Sequence, residues 1–189
     1  KQVDRQWDSA VMAVSSGHIV HAHDGAYWLC SLDEKGNDTQ LCRLFESNGR
    51  DRMTRMTFTS LASLPDGGAL ACARQDYEAE RKGRLIRFAA DGSVVWQLDL
   101  GKFAPDDVRV APEGFAMTGE TQTGEYMLYW GDDAGKLLRS HVLYPVFSYQ
   151  DSCPMAILAD GRTAVAGQTQ GMKGKRDWVN YDVQLHMVE

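Results

Sequence analysis

One stretch constrains this chain more than any other: Met155–Thr169, MAILADGRTAVAGQT. It reads as a strand, an Asp-Gly turn, and a second strand that ends in a small residue followed by a polar one. Text of the same grammar occurs three more times. The four copies run from Ser9 to Glu46, Thr59 to Lys102, Asp107 to Tyr144 and Ser152 to Glu189. Aligned on the small residue of the second strand, Ala22, Ala73, Gly119 and Gly167 fall in register, at spacings of 51, 46 and 48 residues.

Each copy opens with an apolar strand (Ala10–Val14, Leu61–Leu64, Val108–Val110, Met155–Leu158) and turns at a glycine. A third strand rich in aromatic and β-branched residues follows, then a second turn at Asp33–Asn37, Asp91-Gly92 or Asp132–Gly135. A fourth strand closes the unit, as in Ser93–Leu100 and Lys136–Leu143. Helical periodicity is absent, so the chain is expected to be all-β. Four antiparallel strands recurring at this spacing predict one domain over residues 1–189, a small β-propeller of four four-stranded blades. The fourth copy lacks a last strand, and Gln2–Trp7 has no place in the first. That N-terminal segment is therefore expected to complete the last blade and leave no sheet edge open. The competing architecture is an open half-propeller that pairs with a second chain.

A length of 189 residues suits one well-buried domain. The net charge of -6 argues against a surface that binds nucleic-acid phosphates. No apolar run approaches the roughly 20 residues that span a bilayer. A start at Lys1 fits a mature exported protein, or equally a chain with its leader trimmed. Cys30 and Cys42 flank a turn and are expected to face each other; a disulfide there would be worth roughly 3 kcal/mol. Cys72 and Cys153 lie in different copies and are not expected to pair.

The stretches ADGRTAVAGQTQ…RDWVNYDV and AADGSVVWQLDLG resemble the repeats of bacterial β-propeller proteins. The resemblance covers nearly the whole chain and implies a propeller, usually exported, with no common activity. The fourth copy departs from it by losing its D-x-x-x-x-W strand, and the first by carrying Cys42 near the position of Trp96.

Candidate sites follow from the alignment. The residue after the small one is His23, Arg74, Glu120 or Gln168. Equivalent blades would set these four around one mouth of a central channel, where Arg74 and Glu120 could pair or the ring could take a small polar ligand. His21 and His23 share a strand face and, with Asp24, offer donors to a metal, but no third ligand is fixed elsewhere. Asp106-Asp107 stands at the start of a strand with no second carboxylate marked as its partner. No GxSxG, HExxH, P-loop or EF-hand motif is present, so no cofactor and no catalytic residue is implied. The long connections carry Arg50, Arg52, Arg55, Tyr77, Phe103, Phe147 and Tyr149, residue types favoured at binding hot spots.

These readings rank a non-catalytic, periplasmic or secreted protein-binding module first, of the inhibitor or toxin-immunity kind and a monomer or homodimer. Carbohydrate or small-ligand binding, with Trp28, Trp130 or Trp178 as stacking platforms, comes second. A metal-dependent hydrolase using His21, His23 and Asp24 comes third.

Overall fold

A computed structural model describes residues 11–15, 17–23, 26–46, 56–75, 82–144, 154–170 and 181–189. They form fifteen strands and, among the described residues, no helix. The first sheet joins β1 (Val11–Ser15), β2 (His18–His23), β3 (Ala26–Leu32) and β4 (Asp38–Glu46). The second joins β5 (Met56–Ser63), β6 (Ala69–Gln75), β7 (Lys82–Phe88) and β8 (Val94–Asp99). β9 (Ala104–Ala111), β10 (Gly114–Glu120), β11 (Tyr126–Asp132) and β12 (Leu137–Tyr144) form the third. The last holds three strands, β13 (Met155–Ile157), β14 (Thr163–Gln170) and β15 (Tyr181–Val188). Every sheet is an antiparallel meander in chain order, as the repeat grammar predicts.

Among the described residues one turn recurs six times. In Asp33–Asn37, Leu64–Gly68, Ala89–Ser93, Thr121–Glu125, Asp132–Lys136 and Leu158–Arg162 the first N–H donates to the fifth carbonyl, and the fourth N–H to the first carbonyl. The fourth residue is always glycine, with φ between 81° and 87°. This is a type I turn closed by a left-handed residue, which only glycine adopts without strain. Aspartate finishes the turn in two ways. At the third place, Asp66, Asp91 and Asp160 accept the fifth residue's N–H. At the first place, Asp33 and Asp132 each accept two N–H groups. These bonds hold the Asp33, Asp91 and Asp160 carboxyls below their ordinary range, led by the side chains of Asn37, Ser93 and Arg162 respectively.

The core consists of slabs between consecutive sheets. Val20, Tyr27 and Leu29 of the first sheet meet Phe58, Leu61, Ala71 and Phe88 of the second. Leu70, Cys72 and Leu85 from the other face of the second meet Phe115, Met117 and Met127 of the third. Leu128 and Trp130 of the third then meet Met155 and Val165 of the last. Alternate residues of β6 therefore serve different slabs: Ala69, Ala71 and Ala73 one, Leu70 and Cys72 the other. Burial on both faces explains why such strands read as unbroken apolar runs rather than alternating ones. Each large side chain fully buried in a slab contributes about 1.5–3 kcal/mol. Inner strands follow in turn, β1 against β5, β5 against β9 and β9 against β13. Among the described residues the last sheet is not closed onto the first.

The expected disulfide is absent: Cys30 and Cys42 are not bonded to each other. A bulge between Leu29 and Cys30 sets Leu29 opposite Cys42 and Cys30 opposite Gln40. One residue of slip puts the two side chains on opposite faces of the sheet. Burial, then the charges of Asp38 and Cys42, pushes the Cys30 thiol up to about 11. The first strands of the middle copies also begin earlier than the apolar pattern predicts. β5 takes in Met56 and Thr57, and β9 takes in Ala104–Asp106, both expected to be connecting segments.

Outer strands are tied to the next unit through tryptophan and arginine. Trp96 Nε1 and Arg87 Nη1 both donate to the Asp133 carbonyl of the third sheet, at 2.8 and 2.9 Å. One unit on, the pair is swapped: Trp130 faces Arg139 across strands β11 and β12, and Arg139 lies 3.8 Å over the indole and donates to the Glu189 carbonyl. Gly135 sits against the Trp96 ring, where an added Cβ would lie 3.0 Å from ring carbon, at φ 84°. Gly135→Ala is therefore expected to cost about 1–2 kcal/mol and to lower the midpoint of thermal unfolding by roughly 2–8 °C.

Candidate functional site

Register makes the aligned quartet equivalent. His23 pairs with Ala26, Arg74 with Gly83, Glu120 with Tyr126 and Gln168 with Val183, each in the second strand of its sheet. All four stand at the sheet end opposite the first-to-second-strand turns. Strand ends Glu46, Met56, Gln75, Lys82, Tyr144, Gln170 and Tyr181 share that end, as their pairings require. Arg50, Arg52, Arg55, Tyr77, Phe147 and Tyr149 lie outside the described residues, as do Asp24 and Trp178.

Arg74, half-buried, forms an ion pair with Asp106, which is nearly buried at the start of β9. The neighbouring Asp107 does more. Its Oδ1 accepts from Ser60 Oγ at 2.6 Å in the second sheet and from the Val108 N–H at 2.9 Å. Its Oδ2 accepts from the Met155 N–H of the last sheet at 3.0 Å and pairs with Arg109 Nη2 at 3.0 Å. Arg109 Nε donates to the Met155 carbonyl at 3.0 Å, so Asp107 and Arg109 together hold both backbone groups of Met155. One unit earlier, Ser60 Oγ accepts the Val108 N–H at 3.2 Å, the equivalent contact. Thr59 Oγ1 adds a bond to the Pro105 carbonyl at 2.8 Å. The inner strands of sheets two, three and four are thus joined by polar side chains, each reaching the backbone of the next.

Bulges make this possible. Between Phe58 and Ser60 in β5, and beside Thr118 and Gly119 against β9, one extra residue breaks the ladder and re-aims its neighbours. A polar doublet stands at that point in both copies, Thr59-Ser60 and Asp106-Asp107. The alignment contained this signal, but doublets before an apolar strand read as connecting text.

Phe103, expected as a surface contact, is turned inward. It is 7% exposed, with its ring 4.9 Å from Tyr129 in an edge-on contact. The residues 103–105 pass between two glycines. A Cβ on Gly83 would lie 2.0 Å from the Phe103 carbonyl oxygen, and one on Gly119 would lie 2.6 Å from the Phe103 ring. The small residue at this second-strand position is glycine in the third copy for this reason. Trp130, a candidate sugar platform, is 2% exposed and donates to Thr163 Oγ1 at 3.3 Å, so it packs between units. Trp28 is half-buried.

Among the described residues no group of three or more His, Cys, Asp and Glu could hold a metal ion. His18 is buried, and its Nδ1 is 2.9 Å from Ser63 Oγ of the second sheet. Burial lowers its pKa from 6.5, opposed by a hydrogen bond to the Gly67 backbone. Stability from the neutral ring is complete above about pH 6.5 and is lost as pH falls below it, because the unfolded chain takes up the proton first. Chemical denaturation should show a midpoint falling between about pH 7 and about pH 5, and His18→Gln should remove that part of the slope. Burial, followed by the Asp107 and Asp106 charges, raises the Cys72 thiol well above its ordinary range, which leaves it inert.

No protein-family model matches the chain, and no curated protein matches it. A solved structure of a protein of unknown function from Bacteroides caccae is similar, with a TM-score of 0.53 at 16% identity. The likeness is one of fold. It covers 85% of this chain and 54% of the other, so the chain spans about half that protein's length. A structure of Kluyveromyces lactis Hsv2p matches over 94% of this chain and 72% of that one, at 11% identity and a TM-score of 0.39. No helix among the described residues is long and apolar enough to cross a membrane.

Proposed function

We propose that the chain is a non-catalytic, exported binding module, a β-propeller of four blades that takes a protein partner on the end where the longer connections leave the sheets. One observation carries this reading: the polar side chains of the inner strands, Ser60, Asp107 and Arg109, are engaged in joining consecutive sheets. Interior chemistry of that kind builds a rigid array, and a rigid array lowers the entropy cost of presenting loops to a partner. Five of the six glycine-closed turns lie at one end of the sheets, and Thr121–Glu125 lies at the other. Segments 47–55, 76–81 and 145–153, which carry the arginines and aromatics, connect strand ends at the other. Export, to the periplasm or beyond, rests on the resemblance of the repeats to those of exported bacterial propellers. A secreted toxin countered by its immunity protein is the kind of partner such a scaffold suits.

In the same reading, Gln2–Trp7 supplies a fourth strand to the sheet whose described strands are β13–β15, and so completes the last blade. The binding test uses products of genes adjacent in the source genome, with complex formation followed by calorimetry. Arg52→Ala and Phe147→Ala should each raise Kd by tenfold or more, the 1.4 kcal/mol or so of a hot-spot residue. A tight complex that neither change weakens would place the partner elsewhere and overturn the assignment of this face.

A further inference from the structure

The recurring turn sets a chemically labile pair on the surface. The sequence holds four Asp-Gly pairs, of which Asp24-Gly25 lies outside the described residues. Asp66-Gly67, Asp91-Gly92 and Asp160-Gly161 fill the third and fourth places of glycine-closed turns, and all three aspartates are exposed. In an unstructured chain such a pair ages. The Gly nitrogen attacks the Asp Cγ, an N–Cγ bond forms, and the amide proton leaves with the carboxyl hydroxyl as water. Water then opens the succinimide ring. Opening at Cγ restores aspartate, whereas opening at the backbone carbonyl breaks the original peptide bond and leaves isoaspartate in the main chain. No oxidant or co-reactant is needed, and glycine favours the attack because no side chain hinders its nitrogen.

Both reacting groups are engaged in each of these turns. The Gly67, Gly92 and Gly161 N–H groups donate to the Leu64, Ala89 and Leu158 carbonyls at 3.1, 2.9 and 2.9 Å. Each carboxylate is held by the residue after the glycine. Asp66 Oδ1 accepts from the Gly68 N–H at 2.9 Å, and Asp160 Oδ1 from the Arg162 N–H at 3.1 Å. Asp91 Oδ1 accepts from both the N–H and the Oγ of Ser93, at 2.9 and 2.6 Å. Arginine takes the second oxygen at two sites: Arg87 Nη2 on Asp66 Oδ2 at 2.8 Å, and Arg162 Nε and Nη2 on Asp160 Oδ2 at 2.8 and 2.7 Å. Cyclisation requires the amide to leave its carbonyl, the carboxyl to turn from its donors, and a proton on the oxygen that departs.

We propose that these turns lock the three Asp-Gly pairs against succinimide formation, so that the bonds that shape each turn also preserve its covalent structure. The same bonds keep the three carboxyls below their ordinary range, led by the Gly68 N–H, the Ser93 side chain and the Arg162 side chain respectively. The neutral acid, which loses its hydroxyl more readily, is therefore scarcer at neutral pH. Isoaspartate would lengthen the turn and break its register. The consequence is largest at Asp91, because Gly92 is buried and a Cβ there would lie 2.7 Å from Leu41 Cβ of the first sheet. That turn is seated on β4 and has no room for a longer chain.

Ageing the full-length chain at neutral pH and physiological temperature, folded and in denaturant, tests the lock. Peptide mapping reads isoaspartate at each junction. All three junctions should accumulate it at least about tenfold more slowly in the folded chain, since bonds to both reacting groups must open first. Arg162→Ala should speed the reaction at Asp160 alone, and Ser93→Ala at Asp91 alone, each by roughly threefold or more, with little change in the unfolding midpoint. Similar rates in the folded and denatured chains would overturn the proposal. So would variants that speed all three junctions together, because opening of the whole fold, rather than of one turn, would then set the rate. A variant that leaves its own junction unchanged would overturn the lock there, since protection would not depend on the bonds to that carboxylate.

Discussion

Asp107→Ala is expected to destabilise the protein by about 2–4 kcal/mol, since two buried donors, Ser60 Oγ and the Met155 N–H, lose their acceptor at about 1–3 kcal/mol each. Both bonds are to a carboxylate that is 6% exposed, so water does not replace it. The Arg109 pair adds little, because that guanidinium is 40% exposed and regains solvent when released. Asp107→Asn keeps the volume and one acceptor oxygen, and should cost less than alanine. Denaturant titration of the three chains gives the ranking. Equal midpoints would mean that the carboxylate does not hold the sheets together. Asp106→Ala is a useful contrast, because its partner Arg74 is half-buried and reaches water more readily.

The second large effect belongs to backbone contact. Gly83→Ala and Gly119→Ala are each expected to cost about 3 kcal/mol or more, at the upper end of overpacking penalties. At Gly83 the added carbon would lie 2.0 Å from one carbonyl oxygen, and at Gly119 2.3 Å from another, that of Ala104. Neither obstacle is the end of a flexible side chain, so the segment 103–105 must move, and with it the bulge that aims Asp106 and Asp107. Gly124→Ala provides the control: its nearest neighbour would be a Glu120 side-chain oxygen at 3.7 Å, leaving only the strain of φ 83°. Thermal unfolding should place Gly124→Ala well above the other two. A Gly83→Ala protein as stable as the parent would refute the close approach.

The repeated turn made the fold readable. An Asp-Gly or equivalent turn fixes its own glycine and capping carboxylate locally, so the number of sheets and their meander order were legible in the sequence. The register of Ala22, Ala73, Gly119 and Gly167 followed from the same text. Features that depend on a bulge were not legible. An extra residue at Thr59 or Asp106 breaks the period-two pattern, and it hid the first residues of β5 and β9 inside what read as connections. The bulge at Leu29/Cys30 likewise moved Cys42 to the other face and removed the expected disulfide. Phe103 was misplaced for a related reason: its neighbours Gly101 and Lys102 form a turn, but the ring belongs to the core that Gly119 makes room for. Of the candidate site, strand-end positions could be read from the alignment. The engagement of Asp107 and Arg109 with the Met155 backbone could not, because side chain to backbone contacts across sheets leave no periodic trace.

Inner-strand polar groups bind successive sheets into one body. Residue-resolved native-state hydrogen exchange of the Met155 amide tests it most directly, because that N–H bonds to the Asp107 carboxylate of the neighbouring sheet rather than to a strand of its own. Exchange at the rate of global unfolding is expected in the parent chain, and exchange faster by at least tenfold, about 1.4 kcal/mol of protection, in Asp107→Ala under the same conditions. A Met155 amide that exchanges as fast as those of the exposed turns, and equally fast in both proteins, would contradict it.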